Sequence, residues 1–230
     1  MALPSLFGMT ETMQILEVKG LECTRDDRRL FSDLHFSLGA ADVLQIEGPN
    51  GSGKTSLLRI LCGLRQADAG EVFWQGEPLA DVREDYYANM VYIGHLPCVK
   101  GDLTVAENIR VLLDTRSQSA TLEVIDEALK QVGLNGFDDV PGKALSSGQR
   151  RRILLAFILL SNATLWILDE PLTALDVQGV DLMESMILKH REEGGSVIFT
   201  THHGMALDGH LRSVKLGHSA DPIERLVDAC

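Results

Sequence analysis

Residues Gly48-Pro-Asn-Gly-Ser-Gly-Lys54-Thr55 constrain this chain more than any other stretch. They fit G-x-x-x-x-G-K-[ST] at every fixed position. Just before them, Val43-Leu44-Gln45-Ile46 reads as a short buried strand. Just after them, Thr55 to Leu61 reads as a helix that ends near Gly63. Strand, glycine loop and helix make the setting that a phosphate cradle needs. Glycines let the backbone curl so that several N–H groups point inward at phosphate oxygens. The helix N-terminus adds its partial positive charge. In such a loop Lys54 reaches the β- and γ-phosphates of a nucleotide, and the Thr55 hydroxyl is placed to ligate magnesium. The expected nucleotide contacts are therefore Gly48, Pro49, Asn50, Gly51, Ser52, Gly53, Lys54, Thr55 and Ser56.

A second cluster completes the site. Ala163 to Leu168 reads as a buried strand, with Asp169 and Glu170 directly after it. In a parallel sheet, ligands bind at the carboxyl ends of the strands, so these carboxylates fall beside the phosphate loop. A carboxylate leaving a buried strand is costly unless it is paired or binds a metal. Asp169 fits the magnesium side. Glu170 can face the γ-phosphate and polarise the attacking water as general base. Val197 to Thr201 reads as another strand, ending at His202, which can hydrogen-bond the γ-phosphate and hold water and Glu170 in line. The expected catalytic residues are Glu170, His202 and Lys54.

The whole chain narrows the class. Its formal net charge is −12, which argues against a protein that neutralises phosphates along DNA or RNA. The one tight basic cluster, Arg150-Arg151-Arg152, reads as a solvated helix face. The strongest apolar run, Ile153 to Leu160, is far shorter than the about 20 residues of a spanning helix. The first residues lack a basic patch followed by an apolar core, so no signal peptide is expected. Cys23, Cys62, Cys98 and Cys230 form no C-x-x-C pair and read as reduced cytosolic thiols.

Between the two halves lies Leu145-Ser146-Ser147-Gly148-Gln149, followed by an apolar helix from about Arg150 to Leu160. Its physics is again a helix N-terminus with Ser and Gly N–H groups open to a γ-phosphate. The segment resembles the L-S-G-G-Q signature of ABC ATPases, and Leu172-Thr-Ala-Leu-Asp176 resembles the family's D-loop, with Asp176 at its end. The resemblance covers nearly all of residues 14–216. It implies ATP as substrate, Mg2+ as cofactor, and two cassettes paired head to tail. Ser146, Ser147, Gly148 and Gln149 would then act on the ATP of the partner cassette. One copy of each motif per chain calls for a second chain, expected as a homodimer.

Three positions depart from the family pattern. Arg25 stands where most members stack an aromatic ring on adenine. It reads either as a stacking guanidinium or as a surface arginine. His95 stands for the Q-loop glutamine and can serve the metal shell or its water when neutral at the facing nitrogen. With Thr55 and Asp169 it completes the expected metal set. Ser147 replaces the first signature glycine.

Ile93-Gly-His95, Leu145 to Arg152, Leu165 to Pro171 and Val180-Asp181 resemble the haem-exporter ATPase of bacterial cytochrome c maturation, the CcmA family. That resemblance implies a membrane permease partner, haem-handling membrane proteins, and a place on the cytoplasmic face of the inner membrane. No direct haem binding is expected: there is no C-x-x-C-H, and Pro97-Cys98 reverses the order that some haem-sensing motifs use. The other readings are the ATPase of a different ABC transporter, a soluble ABC ATPase acting on ribosomes or DNA, and a non-hydrolysing clamp.

The expected architecture is an α/β P-loop NTPase core of the ABC ATPase type with an antiparallel β subdomain and a helical subdomain. Residues 13–95 and 162–216 would form the core with its β piece, and 96–161 the helical signature subdomain. Residues 1–12 would be a flexible extension. Val124, Ile125, Ala128, Leu129 and Val132 are expected on one core-facing helix face, stopped by Gly133. Few residues follow His202, so no added regulatory domain is expected.

Overall fold

A computed structural model describes residues 14–96, 98–202, 204–207 and 209–217. The expected start at Met13, the extension 1–12, Pro97 and Cys230 lie outside them.

Two sheets carry the fold. The first is antiparallel, in the order β2-β1-β4-β5, with β1 Gln14–Arg25, β2 Arg28–Gly39, β4 Ala69–Trp74 and β5 Glu77–Pro78. Alternation in β1 puts Leu16, Val18, Leu21 and Cys23 inside. Asp26 and Asp27 form the tight turn between β1 and β2, both at positive φ (51° and 58°), as a two-residue hairpin loop requires.

The second sheet is parallel, in the order β6-β7-β8-β3-β9. Its strands are β3 Val43–Glu47, β6 Met90–Ile93, β7 Leu165–Asp169, β8 Ser196–Thr200 and β9 Leu211–Lys215. β7 and β8 are buried along their whole length, which is why they read as continuous apolar runs rather than alternating ones. Their carboxyl ends share one edge with those of β3 and β6, and that edge carries the site.

The helices cover the sheets. α1 Lys54–Leu61 packs between them, in one apolar cluster with the antiparallel sheet and a face of β3, β7 and β8. α2 Arg83–Asn89 is pinned by Tyr86, whose hydroxyl donates to the Leu61 carbonyl at 2.8 Å and whose ring meets Trp74 edge-on at 5.1 Å. Trp74 in turn donates to Asp85 at 2.7 Å. α3 Val105–Asp114, α4 Leu122–Gln131 and α5 Ser147–Leu160 pack with α6 Val177–Glu192 and the other sheet face into a second cluster.

Two expectations are corrected. In α4 the buried face is Ile125, Ala128, Leu129 and, just past its end, Val132, while Val124 is 48% exposed. One residue is a 100° turn, enough to carry Val124 off the stripe. The signature does not precede α5 but forms its first turn, with Ser146 as the N-cap.

Candidate active site

The phosphate loop runs from the end of β3 into α1. Gly48, Gly51 and Gly53 sit at φ 151°, 80° and 106°. A Cβ at Gly53 would come within 3.0 Å of Leu30 Cβ and 3.2 Å of the Phe31 ring. β2 therefore presses on the loop, and only glycine fits. Lys54 is 8% exposed, and its Nζ donates to the Gly48 carbonyl at 2.7 Å and to that of Pro49 at 3.4 Å. The ammonium is thus held folded over the loop, with its charge facing the cleft.

That cleft, about 810 Å³, is lined by Asn50, Gly51, Gly53, Lys54, Thr55 and Ser56 from the loop and α1. His95, Asp169, Glu170, Thr173 and His202 come from the strand ends, and Arg25, Asp26, Arg28 and Leu30 from the β1–β2 hairpin. Gly48, Pro49 and Ser52 shape the loop without lining the cleft. Arg25 is 64% exposed at its side chain and lies 3.4 Å from Asp26. Sequence reasoning missed Asp26, Arg28, Leu30 and Thr173. A hairpin's position over another element is a tertiary fact with no local signal.

The carboxylates have distinct surroundings. Asp169 is 2% exposed, and its Oδ1 accepts from Thr200 Oγ1 at 2.8 Å. Its Oδ2 is buried with no hydrogen-bond partner among the described residues. An anionic oxygen left so costs more than the about 1–3 kcal/mol of a neutral group, and a cation would offset that. Asp169 also acts on its neighbours. Burial first, and the Asp169 charge second, raise the Cys62 thiol far above its usual range and the Tyr92 phenol to about 12. Both stay protonated, so neither adds negative charge beside Asp169.

Glu170 has φ 51°, in the left-handed region that a residue with a Cβ seldom adopts. Its N–H donates to Thr200 Oγ1 at 3.0 Å. Its carboxylate Oε1 lies 3.4 Å from His202 Nε2. A carboxylate beside an imidazole at the mouth of a phosphate cradle can orient and deprotonate a water.

The signature residues Ser146, Ser147, Gly148 and Gln149 do not line this cleft. They line a second hollow, about 300 Å³, with Arg152 and Ala174 to Asp176. Ser146 Oγ accepts from the Gln149 N–H at 3.2 Å, and Gln149 Oε1 accepts from the Ser146 N–H at 2.9 Å, a reciprocal cap. Arg152 donates to Asp176 at 2.8 Å, and Asp176 Oδ1 accepts from the Gly179 N–H at 2.9 Å. The Gly179 N–H first and the Arg152 guanidinium second hold the Asp176 carboxyl below its usual range.

The arginine triplet is not a solvated face. Arg150 donates to the Gly142 carbonyl at 3.0 Å, Arg152 donates to that of Val132 at 2.8 Å, and Arg151 is 2% exposed. Burial lowers the Arg151 pKa, and the nearby Asp169 and Glu170 charges oppose that shift.

Comparison with known proteins follows the same lines. The ABC transporter family model matches residues 31–173. The cytochrome c biogenesis ATP-binding export protein CcmA of Shigella sonnei (strain Ss046) is 49% identical over 205 residues, covering 89% of this chain and 97% of that protein. Its counterpart in Escherichia coli (strain K12) is 48% identical over the same spans. Among solved structures, a putative ABC transporter ATP-binding protein from Pyrococcus furiosus matches with a TM-score of 0.75 at 24% identity, over 86% of this chain and 96% of that one. The ADP conformation of another ABC cassette gives a TM-score of 0.73 at 22% identity, over 88% of this chain and 87% of that one.

Proposed function

We propose a function from one premise: the chain belongs to the ABC transporter family, among the cytochrome c biogenesis ATP-binding export proteins CcmA. As a member it is an ATP-hydrolysing subunit of an export complex. The finer reading is that two copies pair head to tail. Each ATP then lies between the phosphate loop of one copy and the signature of the other.

The observation that carries this reading is the division of the motifs between two hollows. One cleft gathers Lys54, Thr55, His95, Asp169, Glu170 and His202, while the signature and Asp176 face elsewhere. Lys54 and the loop N–H groups bind the β- and γ-phosphates, and Glu170, with His202 beside it, takes a proton from the attacking water. Thr55 and Asp169 would hold magnesium, with His95 at its shell, and the orphaned Asp169 Oδ2 supports that assignment. Magnesium, when bound, neutralises charge on the β- and γ-phosphate oxygens. Arg25 and Arg28 offer guanidinium faces at the base end.

In this reading residues 13–95 and 162–216 form the nucleotide-binding core with its β piece. Residues 96–161 form the subdomain that meets an integral-membrane permease. No helix among the described residues is long and apolar enough to cross a membrane, so attachment at the cytoplasmic face would be peripheral, through that partner. The names of the relatives support an export role in cytochrome c biogenesis; haem export, or release of the haem-loaded chaperone, is our finer reading of that role.

A gentle detergent pull-down of the tagged chain from its native membranes, with mass spectrometry, tests this reading. A multi-span permease together with haem-handling membrane proteins is the expected result. A permease with a different binding protein would remove haem. Ribosomal or DNA-repair proteins without a permease would overturn the transporter role.

A further inference from the structure

Arg151 lies two turns or less from the start of α5, in the helix whose first turn is the signature. Its guanidinium donates only to main-chain oxygens in the bonds it makes here: from Nε to Pro171 at 3.0 Å, from Nη1 to Gly94 at 3.1 Å, and from Nη2 to Glu170 at 2.9 Å and Asp169 at 3.4 Å. These carbonyls belong to two separate stretches. One carries Asp169 and Glu170, and the other directly precedes His95.

The Glu170 peptide needs such a grip. At φ 51° it occupies a conformation that persists only when its surroundings hold it. Thr200 Oγ1 fixes its N–H, and Arg151 fixes its carbonyl. Burying a guanidinium is costly unless its donors are satisfied, so this contact has one well-defined geometry. A lysine could not reproduce it, because an ammonium lacks the planar fork that spans several acceptors.

We propose that Arg151 is a positioning residue that ties the signature helix to the catalytic carboxylates and to His95 of its own cassette. This rests on the reading of Glu170 as general base and of the signature as the contact to the partner's ATP. When α5 docks on that ATP, the guanidinium carries its placement to Glu170 and Gly94. Occupancy of one site thereby sets the water-activating groups of the other, and the two sites turn over cooperatively.

The test uses the purified full chain with Mg-ATP. In Arg151→Lys, kcat should fall about 100-fold, the scale of a misplacement near 1 Å at a reacting centre. Affinity for a non-hydrolysable ATP analogue should stay within about twofold, and the Hill coefficient for ATP should fall toward one. An unchanged kcat and Hill coefficient would overturn the proposal. So would a parallel loss of analogue affinity, which would mark a structural role only. Glu170→Gln serves as control: if it turned over normally, the base assignment would fail, a result distinct from either Arg151 outcome.

Discussion

At the scale of single residues, the proposed chemistry concentrates on Glu170. It stands 3.4 Å from His202 and is held in a left-handed conformation by main-chain bonds that do not involve its carboxylate. Glu170→Gln keeps those bonds and the side-chain shape but removes the proposed base. Turnover should fall about 100- to 10,000-fold, with analogue binding retained, as phosphate release and equilibrium binding would report. Unchanged turnover would take the base role from Glu170. Lys54→Ala should act differently. It would remove the proposed charge-assisted contact to the phosphates, worth about 1.5–3 kcal/mol, so nucleotide affinity itself should drop at least about tenfold in a binding titration. The meeting of these residues in one cleft was legible in the sequence because the pattern of a glycine loop and of a strand-end carboxylate is local. Arg151 was not. Three adjacent arginines look alike in sequence, and only the packing of α5 on the end of β7 decides that the middle one is buried. His95 and Arg25 were reached only by counting from neighbouring motifs, yet both line the cleft.

Elements with strong apolar runs or stripes, such as β3, β7, β8, α1 and α5, could be read from the sequence because burial fixes their pattern. α2 and β9 could not: α2 buries only Tyr86, and within β9 only Val214 is buried. Each is held by neighbours more than by its own pattern. The start of α5 sets up one prediction. Ser146→Ala removes the cap on the Gln149 N–H and should cost about 0.5–2 kcal/mol of stability, measurable by urea unfolding, before any effect on the partner's ATP. The junction of β7 and α6 sets up another. The His190 ring stacks on Trp166 with centroids 3.8 Å apart, and burial lowers its pKa, partly opposed by its bond to the Thr164 carbonyl. The folded state therefore disfavours the imidazolium. The unfolded chain takes up a proton below about 6.5, while the folded chain does so only at lower pH, so acidification through that window destabilises the fold. Above it the group contributes no pH dependence. His190→Phe, which keeps an aromatic ring and removes the titration, should flatten the fall in melting temperature below about pH 6.5. An identical slope in the variant would assign the acid sensitivity to other groups.

At the scale of the molecule, the two hollows matter more than either one. On the reading proposed above, a chain whose phosphate loop and signature face different openings would not build a complete site alone, and head-to-tail pairing of two copies would be the closed arrangement that completes both. This can be checked without any structure of the dimer. Lys54→Ala disables the phosphate loop but leaves the signature. Gly148→Asp does the reverse: a Cβ there would already lie 2.9 Å from the Ala174 carbonyl, and the added carboxylate would repel a γ-phosphate. Each variant alone should be nearly inactive. Mixed in equal amounts and allowed to exchange subunits, they form mixed dimers with one intact site, built from the loop of one chain and the signature of the other. Random pairing makes about half of the dimers mixed, each with one working site of two, so activity should recover to roughly a quarter of the unmodified level. If Arg151 links the two sites cooperatively, recovery should fall below that quarter, because the intact site then works beside a disabled one. Recovery reaching the full quarter would mean independent sites. No recovery, with subunit exchange demonstrated by labelled chains, would mean that loop and signature of different copies do not share an ATP, and the head-to-tail reading would fail.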